Sequence, residues 1–251
     1  MPLCAGVASA WIGAVTDLEH FRVLSFDCYG TMIDWEKGIL TQLRPWLRDQ
    51  GRSLEDAEIL EAFGVAESVQ QAETHEAVYP LILRGVHTRL AARWGLVHDE
   101  EAAIRFGASV GQWPAFPDSH EALTRLGKQF RLVILSNVDR ASFSQSNKLL
   151  NVGFDAIYTA EDIGSYKPDP RNFAHLIASE QKAGYPTQEI LHVGQSLFHD
   201  HVPASKAGLA TCWIQRPSPT REHGAARLPN HRPNVDYHFT SLAELADAAS
   251  A

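Results

Sequence analysis

Arg22-Val-Leu-Ser-Phe-Asp27-Cys-Tyr-Gly-Thr31 is the stretch on which the fold turns. A short, mostly apolar run ends in a carboxylate, and Gly30-Thr31 follows within four residues. Such a run reads as a buried strand that enters a loop. Similar runs recur at Phe130 to Leu135, Ala156 to Tyr158, Ile190 to Val193 and Ala210 to Ile214. Helical patterns lie between them, as at Arg140 to Leu150 and Arg171 to Ala183. Strands alternating with helices predict an α/β core with a doubly wound parallel sheet, covered on both faces.

Residues 34–113 break this alternation. They hold several helical segments and no convincing strand. Ser53-Leu-Glu-Asp56 resembles a capping box. Tyr79-Pro80 places a proline in a first helical turn, and Leu83, Val86, Leu90 and Trp94 then form an amphipathic stripe. Asp99 suits the N-cap of a further helix. The pattern predicts a helical insert over 34–113 within a core built from 17–33 and 114–251. Residues 1–16 read as an N-terminal extension, Arg216 to Pro233 as a surface loop, and Ser241 to Ala249 as a terminal helix.

With 251 residues, 45% of them hydrophobic, the chain can bury a core without disulfides or a structural metal. The net charge of −8 argues against a nucleic-acid partner, which calls for a basic patch. Three cysteines, Cys4, Cys28 and Cys212, suggest neither a disulfide framework nor a zinc site, and fit reduced thiols in a cytoplasmic protein. The apolar start, Met1 to Val15, lacks a basic n-region and is too short to span a membrane. A small-molecule substrate is therefore the expected partner, with a homodimer as a common assembly for such enzymes.

In open α/β sheets ligands bind beyond the carboxyl ends of the strands. Asp27, Ser136-Asn137, Lys167 and Asp200 all fall there. A carboxylate in such a pocket can attack an electrophilic carbon or phosphorus and form an ester or acyl phosphate. Lys167 would keep Asp27 ionised and balance developing negative charge. Thr31 would orient a carboxylate, Ser136 and Asn137 would bond the substrate, and Asp200 would fix Lys167 or position a water. Each residue also has a plainer role: Asp27 or Thr31 in a turn, Ser136-Asn137 or Asp200 as helix caps, Lys167 on the surface. His199-Asp200-His201 suggests a metal only weakly, since adjacent side chains diverge. Cys28 is expected on the far side of the backbone from Asp27, and the aromatic stripe around Tyr79 and Trp94 in the core of the insert.

Asp27-Cys-Tyr-Gly-Thr31, Leu135-Ser-Asn137, Lys167-Pro168 and Gly194-Gln-Ser-Leu-Phe-His-Asp200 resemble, in order, the four motifs of the haloacid dehalogenase superfamily. The resemblance implies a Rossmann-like core, an inserted helical cap and a covalent intermediate on Asp27. Magnesium-dependent phosphatases of that superfamily carry a second Asp where this chain has Tyr29, and a metal-binding Asp where it has Gln195. Tyrosine, with a pKa of about 10, is a poor proton shuttle near neutrality. Gln offers Mg²⁺ no charge. The motif is closest to the type II 2-haloacid dehalogenase branch, which implies no metal and displacement of halide from a short 2-haloacid. Asp27, Lys167 and Asp200 would then be catalytic, with Tyr29, Thr31, Ser136, Asn137 and Gln195 around the substrate. That branch carries an arginine early in the cap. Ser53 to Leu83 contains no Arg or Lys, which leaves Arg48, Arg84 or Arg89 as substitutes. Phe173 and Leu197 stand where the branch has Tyr and Asn. A phosphatase with an altered magnesium site and a non-catalytic ligand-binding protein are the alternatives.

Overall fold

A computed structural model describes residues 18–218 and 227–250. The expected extension over 1–16 lies outside them, as do Cys4 and part of the expected loop. Six parallel strands form one sheet in the order β3-β2-β1-β4-β5-β6. They are β1 (Val23–Phe26), β2 (Arg131–Ser136), β3 (Ala156–Thr159), β4 (Ile190–Gly194), β5 (Ala210–Ile214) and β6 (Tyr237–Phe239). The order reverses at β1, so the central strand carries Asp27 to the crevice where ligands bind in such sheets.

The period of two along each strand sorts the core. Leu24, Phe26, Leu132, Ile134, Leu191 and Val193 point to one face, and Val23, Val133, Leu135 and Ile190 to the other. The first face is covered by α5 (Ser119–Leu126) and α10 (Leu242–Ala248), whose Leu123, Leu126, Leu242 and Leu245 are buried in it. The second is covered by α8 (Pro170–Lys182) and α9 (Val202–Lys206), through Phe173, Leu176 and Ala204. Between β2 and β3 runs α6 (Arg140–Leu150), and α7 (Ala160–Ile163) follows β3.

Four helices stand between β1 and α5: α1 (Trp35–Asp49), α2 (Asp56–Glu73), α3 (Tyr79–Trp94) and α4 (Glu100–Gly107). Leu83, Val86, Leu90 and Trp94 are buried along α3, and the Asp99 carboxylate accepts from the Ala102 amide at the start of α4. Apolar side chains from all four helices join the main core cluster.

Several expectations fail locally. Ser53 caps nothing: Glu55 is the N-cap of α2 without a side-chain bond, and Asp56 pairs with Arg44 of α1. The long-range ion pair takes the carboxylate that a capping box would use. Ser136-Asn137 does not cap α6; Asp139 does, accepting from the Ser142 amide. Strand β6 was not expected, because three half-exposed residues carry no periodicity to read. Arg216, placed by sequence in a surface loop, is buried. Its Nη1 donates to both oxygens of Asp118 at 2.8 and 2.9 Å, and its Nε and Nη2 donate to the Thr31 carbonyl at 3.0 and 2.8 Å.

Candidate active site

Asp27 leaves β1 with its amide bonded to the Val193 carbonyl of β4 at 2.9 Å, so the neighbouring strand fixes its position. The turn 28–33 closes beneath it through amides donating to the Cys28 carbonyl. Gly30 in that turn has φ +93°, and a Cβ there would stand 2.9 Å from Trp35 Nε1 and 3.2 Å from Gln195 Oε1. Only glycine meets both demands. The turn sets Thr31 so that its hydroxyl donates to Asp27 Oδ2 at 2.9 Å and accepts from the Gln195 amide at 3.0 Å. One carboxylate oxygen is thereby tied to the loop after β4.

Lys167 supplies the other tie. Its ammonium donates to Asp27 Oδ1 at 2.9 Å, Asp200 Oδ1 at 2.6 Å and the Leu135 carbonyl at 2.8 Å. All three N–H bonds are used, as a buried ammonium requires. Asn137 aims the lysine: its Oδ1 accepts from the Lys167 amide at 2.6 Å and its Nδ2 donates to the Lys167 carbonyl at 3.0 Å. Asp200 sits in the turn Leu197–His201, where its Oδ2 accepts from the Ser196 amide at 3.3 Å. Behind it, His192 Nε2 lies 3.4 Å from Asp200 Oδ1, with Ser25 Oγ 2.9 Å from His192 Nδ1 and the Phe173 ring edge-on to the imidazole.

The electrostatics separate the two carboxyls. Burial raises Asp27, Lys167 holds it down and Asp200 pushes it up again, leaving it at about 6. Burial would raise Asp200 too, but Lys167 and His192 outweigh it and hold Asp200 below its ordinary value. Lys167 is raised: burial works against its charge, and the two carboxylates overcome that. At neutral pH the group is therefore carboxylate, ammonium, carboxylate, with Asp27 the more basic carboxylate.

A cavity of about 70 Å³ opens above Asp27. A water needs roughly 10–15 Å³ by a comparable measure, so the space suits a molecule of only a few heavy atoms. Asp27, Lys167, Asp200, Tyr29, Asn137 and Gln195 reach it. Tyr29 presents its ring, because its hydroxyl bonds Ser146 Oγ at 2.8 Å. Gln195 is held through its backbone, the carbonyl accepting from Trp213 Nε1 at 2.9 Å. Ser136 is not brought to the cavity wall; its hydroxyl is buried without a partner among the described residues. Thr31 bonds Asp27 and is not in the lining either. Cys28 is fully buried, its thiol pushed up by burial and by the Asp27 charge.

The sequence reading missed the wall contributed by the insert: Trp35 at the start of α1, Glu67, Ser68 and Gln71 on α2, and Tyr79 on α3. Polar residues at i, i+1 and i+4 in a helix with buried Ile59, Leu60 and Phe63 were the available signal. Arg84 and Arg89 are taken by Glu100 and Glu73, and neither reaches the cavity, nor does Arg48. Arg227 does, from the core, with its guanidinium 4.5 Å over the Phe198 ring. No cluster of three or more metal-ligating side chains occurs among the described residues, and no helix there is long and apolar enough to cross a membrane.

Residues 21–208 match the family of haloacid dehalogenase-like hydrolases. An (S)-2-haloacid dehalogenase of Pseudomonas putida is 27% identical over 204 residues, covering 79% of this chain and 86% of its own. The L-2-haloacid dehalogenase of Xanthobacter autotrophicus with chloropropionic acid covalently bound superposes with TM-score 0.74 at 17% identity, over 92% of this chain and 99% of that one. The Bacillus subtilis protein YfnB, bound to magnesium, does so with TM-score 0.70 at 21% identity, over 92% and 99%. On its family match, its α/β architecture and its four ordered motifs, the chain belongs to the haloacid dehalogenase-like hydrolases.

Proposed function

We propose that the chain hydrolyses the carbon–halogen bond of a small 2-haloacid without a metal ion, through an ester on Asp27. The observation that carries this reading is the Asp27 carboxylate, held by Thr31 on one oxygen and Lys167 on the other, at the floor of a cavity sized for a few heavy atoms. An Asp27 oxygen attacks C2 as the carbon–halogen bond breaks, and halide leaves with the bonding pair. Water then adds to the Asp27 carboxyl carbon. The bond from that carbon to the ester oxygen breaks, releasing a 2-hydroxy acid and a proton and restoring the carboxylate. Lys167 stabilises the oxyanion of the second step from a fixed position. Asp200 is bound by Lys167 and Ser196 and depressed in basicity, so it anchors the lysine rather than acting as base for the water. Residues 34–113 serve as the cap that closes over the substrate. The covalent chloropropionic acid adduct of the Xanthobacter enzyme supports the ester, and the expected setting is the cytoplasm.

Magnesium-dependent phosphatase chemistry is the second reading, favoured by the magnesium in YfnB. The donors here do not fit that ion as they stand. Mg²⁺ calls for an octahedron rich in anionic oxygen. The Oδ1 atoms of Asp27 and Asp200 share the Lys167 ammonium, and the Oδ2 atoms are engaged by Thr31 and Ser196.

Halide release from 2-chloro- and 2-bromo-acids, measured in chelator, tests the proposal. Release from the wild type and a loss of at least about 10³-fold in Asp27→Asn are expected, the scale on which a nucleophile's removal costs. Strict magnesium dependence with phosphate release would replace this reading with the second. Binding without turnover or a covalent adduct would point to a protein that has kept only the pocket.

A further inference from the structure

The wall facing Asp27 from the insert is polar, and one group in it has no role in the chemistry above. Glu67 sits half-buried on α2 with Gly64, Ser68 and Gln71 of the same helix lining the cavity beside it. Its Oε1 accepts from the Tyr79 hydroxyl at 2.6 Å. Its Oε2 has no hydrogen bond to any described residue. A carboxylate has about four acceptor sites, so one phenol leaves most of them unfilled in a confined space. A plain alkyl tail on the substrate would meet that oxygen and strip its water without replacing it, which is costly.

We propose that Glu67 selects the substrate: its open oxygen bonds a hydroxyl on C3, so that the preferred substrates are 2-halo-3-hydroxy acids rather than simple 2-haloalkanoates. The inference rests on the dehalogenase reading and names the substrate class for the same site. A carboxylate on the substrate cannot lie against Glu67 and turns to Arg227, the cation of the lining besides Lys167 and one with no ion pair among the described residues. Carboxylate toward Arg227, C2 over Asp27 and hydroxyl toward Glu67 gives the small acid three fixed points. A hydroxyl is favoured over an ammonium because burial lifts Glu67 to about 7, with Tyr79 holding it lower than burial alone would. A hydroxyl can donate to the ionised form or accept from the acid, whereas an ammonium serves only the first.

Two measurements test it. One compares halide release from 2-chloro-3-hydroxypropionate and 2-chloropropionate. The other compares binding of their hydrolysis products, glycerate and lactate, by calorimetry, and needs no turnover. Wild type is expected to favour the hydroxylated partner by at least about tenfold in kcat/KM and in Kd, the scale of one hydrogen bond to a charged acceptor. Glu67→Leu should bring both ratios to within about twofold of one, while Glu67→Gln, which keeps an acceptor oxygen, should retain most of the preference. If Glu67→Leu fails to fold, the pair Glu67→Leu/Tyr79→Phe, which strands no hydroxyl, takes its place. A Glu67 that only satisfied Tyr79 would leave the ratios unmoved. Equal binding of glycerate and lactate by wild type, binding of neither, or a preference that survives Glu67→Leu overturns the proposal. Failure to turn over either chloro acid, with the glycerate preference intact, removes the dehalogenase reading and leaves the selectivity standing.

Discussion

Asp27 and Asp200 show how one ammonium can give two carboxyls opposite tasks. Both are buried and both touch Lys167 Nζ, yet Asp200 also receives the Ser196 amide and the His192 imidazole. Lys167 and then His192 hold Asp200 down against burial, while burial and the Asp200 charge leave Asp27, at about 6, as the more basic oxygen pair. The pH dependence follows with a definite sign. A nucleophile must be ionised, and a folded-state value raised above 3.8 moves its loss of charge toward neutrality. Activity should therefore fall as pH drops through about 6, by about tenfold for each further unit. A kcat/KM profile between pH 4 and 8 checks this, and a plateau extending to pH 4 would contradict the assigned environment. These residues were legible in the sequence because each is a reactive type at a strand's carboxyl end. Their division of labour was not, since it depends on His192, which carries no motif signal of its own. Asn137 marks the same limit. Its residue type suggested a substrate contact, and it does line the cavity, but the bonds that its amide makes to the Lys167 backbone could not be read from the sequence.

Elements place these groups only where backbones can approach closely. Strand β4 ends in Gly194, and the turn that follows folds Asp200 back over it. A Cβ on Gly194 would lie 2.8 Å from Asp200 Oδ2 and 2.9 Å from Asp200 Cβ. The contact is with a fully buried side chain, so relaxation must shift Asp200 from the position in which it meets Lys167. Gly194→Ala is expected to lower kcat by on the order of 10²-fold, as misplacement of about 1 Å in a site can, while the fold, followed by circular dichroism, survives. Unchanged kcat would mean that Asp200 does not hold the lysine in place. Strands β1 to β5 were readable because each is an apolar run of strand length between turn residues. Strand β6 was not, because its three residues, Tyr237, His238 and Phe239, are too few and too exposed to write such a run. On α2 the polar face that lines the cavity looks in sequence like any solvated face. Only the packing of α2 over the strand ends separates the two.

Across the whole molecule the nucleophile loop is anchored by a link no local pattern could reveal. Arg216 follows β5 and meets Asp118, 98 positions earlier, and the Thr31 carbonyl, 185 positions earlier. Asp118 also accepts from the Leu242 and Ala243 amides at 2.9 and 3.1 Å, which satisfies the first turn of α10. One ion pair, buried at Arg216 and partly buried at Asp118, thus joins α5, the end of β5, α10 and the turn that carries Thr31 to Asp27. Sequence reading put Arg216 in a surface loop because its neighbours are proline and polar residues, and pairing at such separation leaves no trace in composition. Removing one member of a buried pair costs far more than the pair contributes, because the other is left uncompensated. Arg216→Met, which keeps the stem's packing, should therefore cost about 3 kcal/mol, a fall in Tm of roughly 6–12 °C for a chain of this size. The same substitution frees the Thr31 carbonyl and loosens the turn that orients Asp27. Activity well below the new Tm should therefore also drop, in kcat more than in KM, because Arg216 is not among the residues lining the cavity above Asp27. The double variant Asp118→Asn/Arg216→Met separates the effects. Removing both charges should recover part of the lost stability, while kcat stays low because the Thr31 carbonyl still lacks its guanidinium. Recovery of kcat along with Tm would show that Arg216 acts on the site only through global stability.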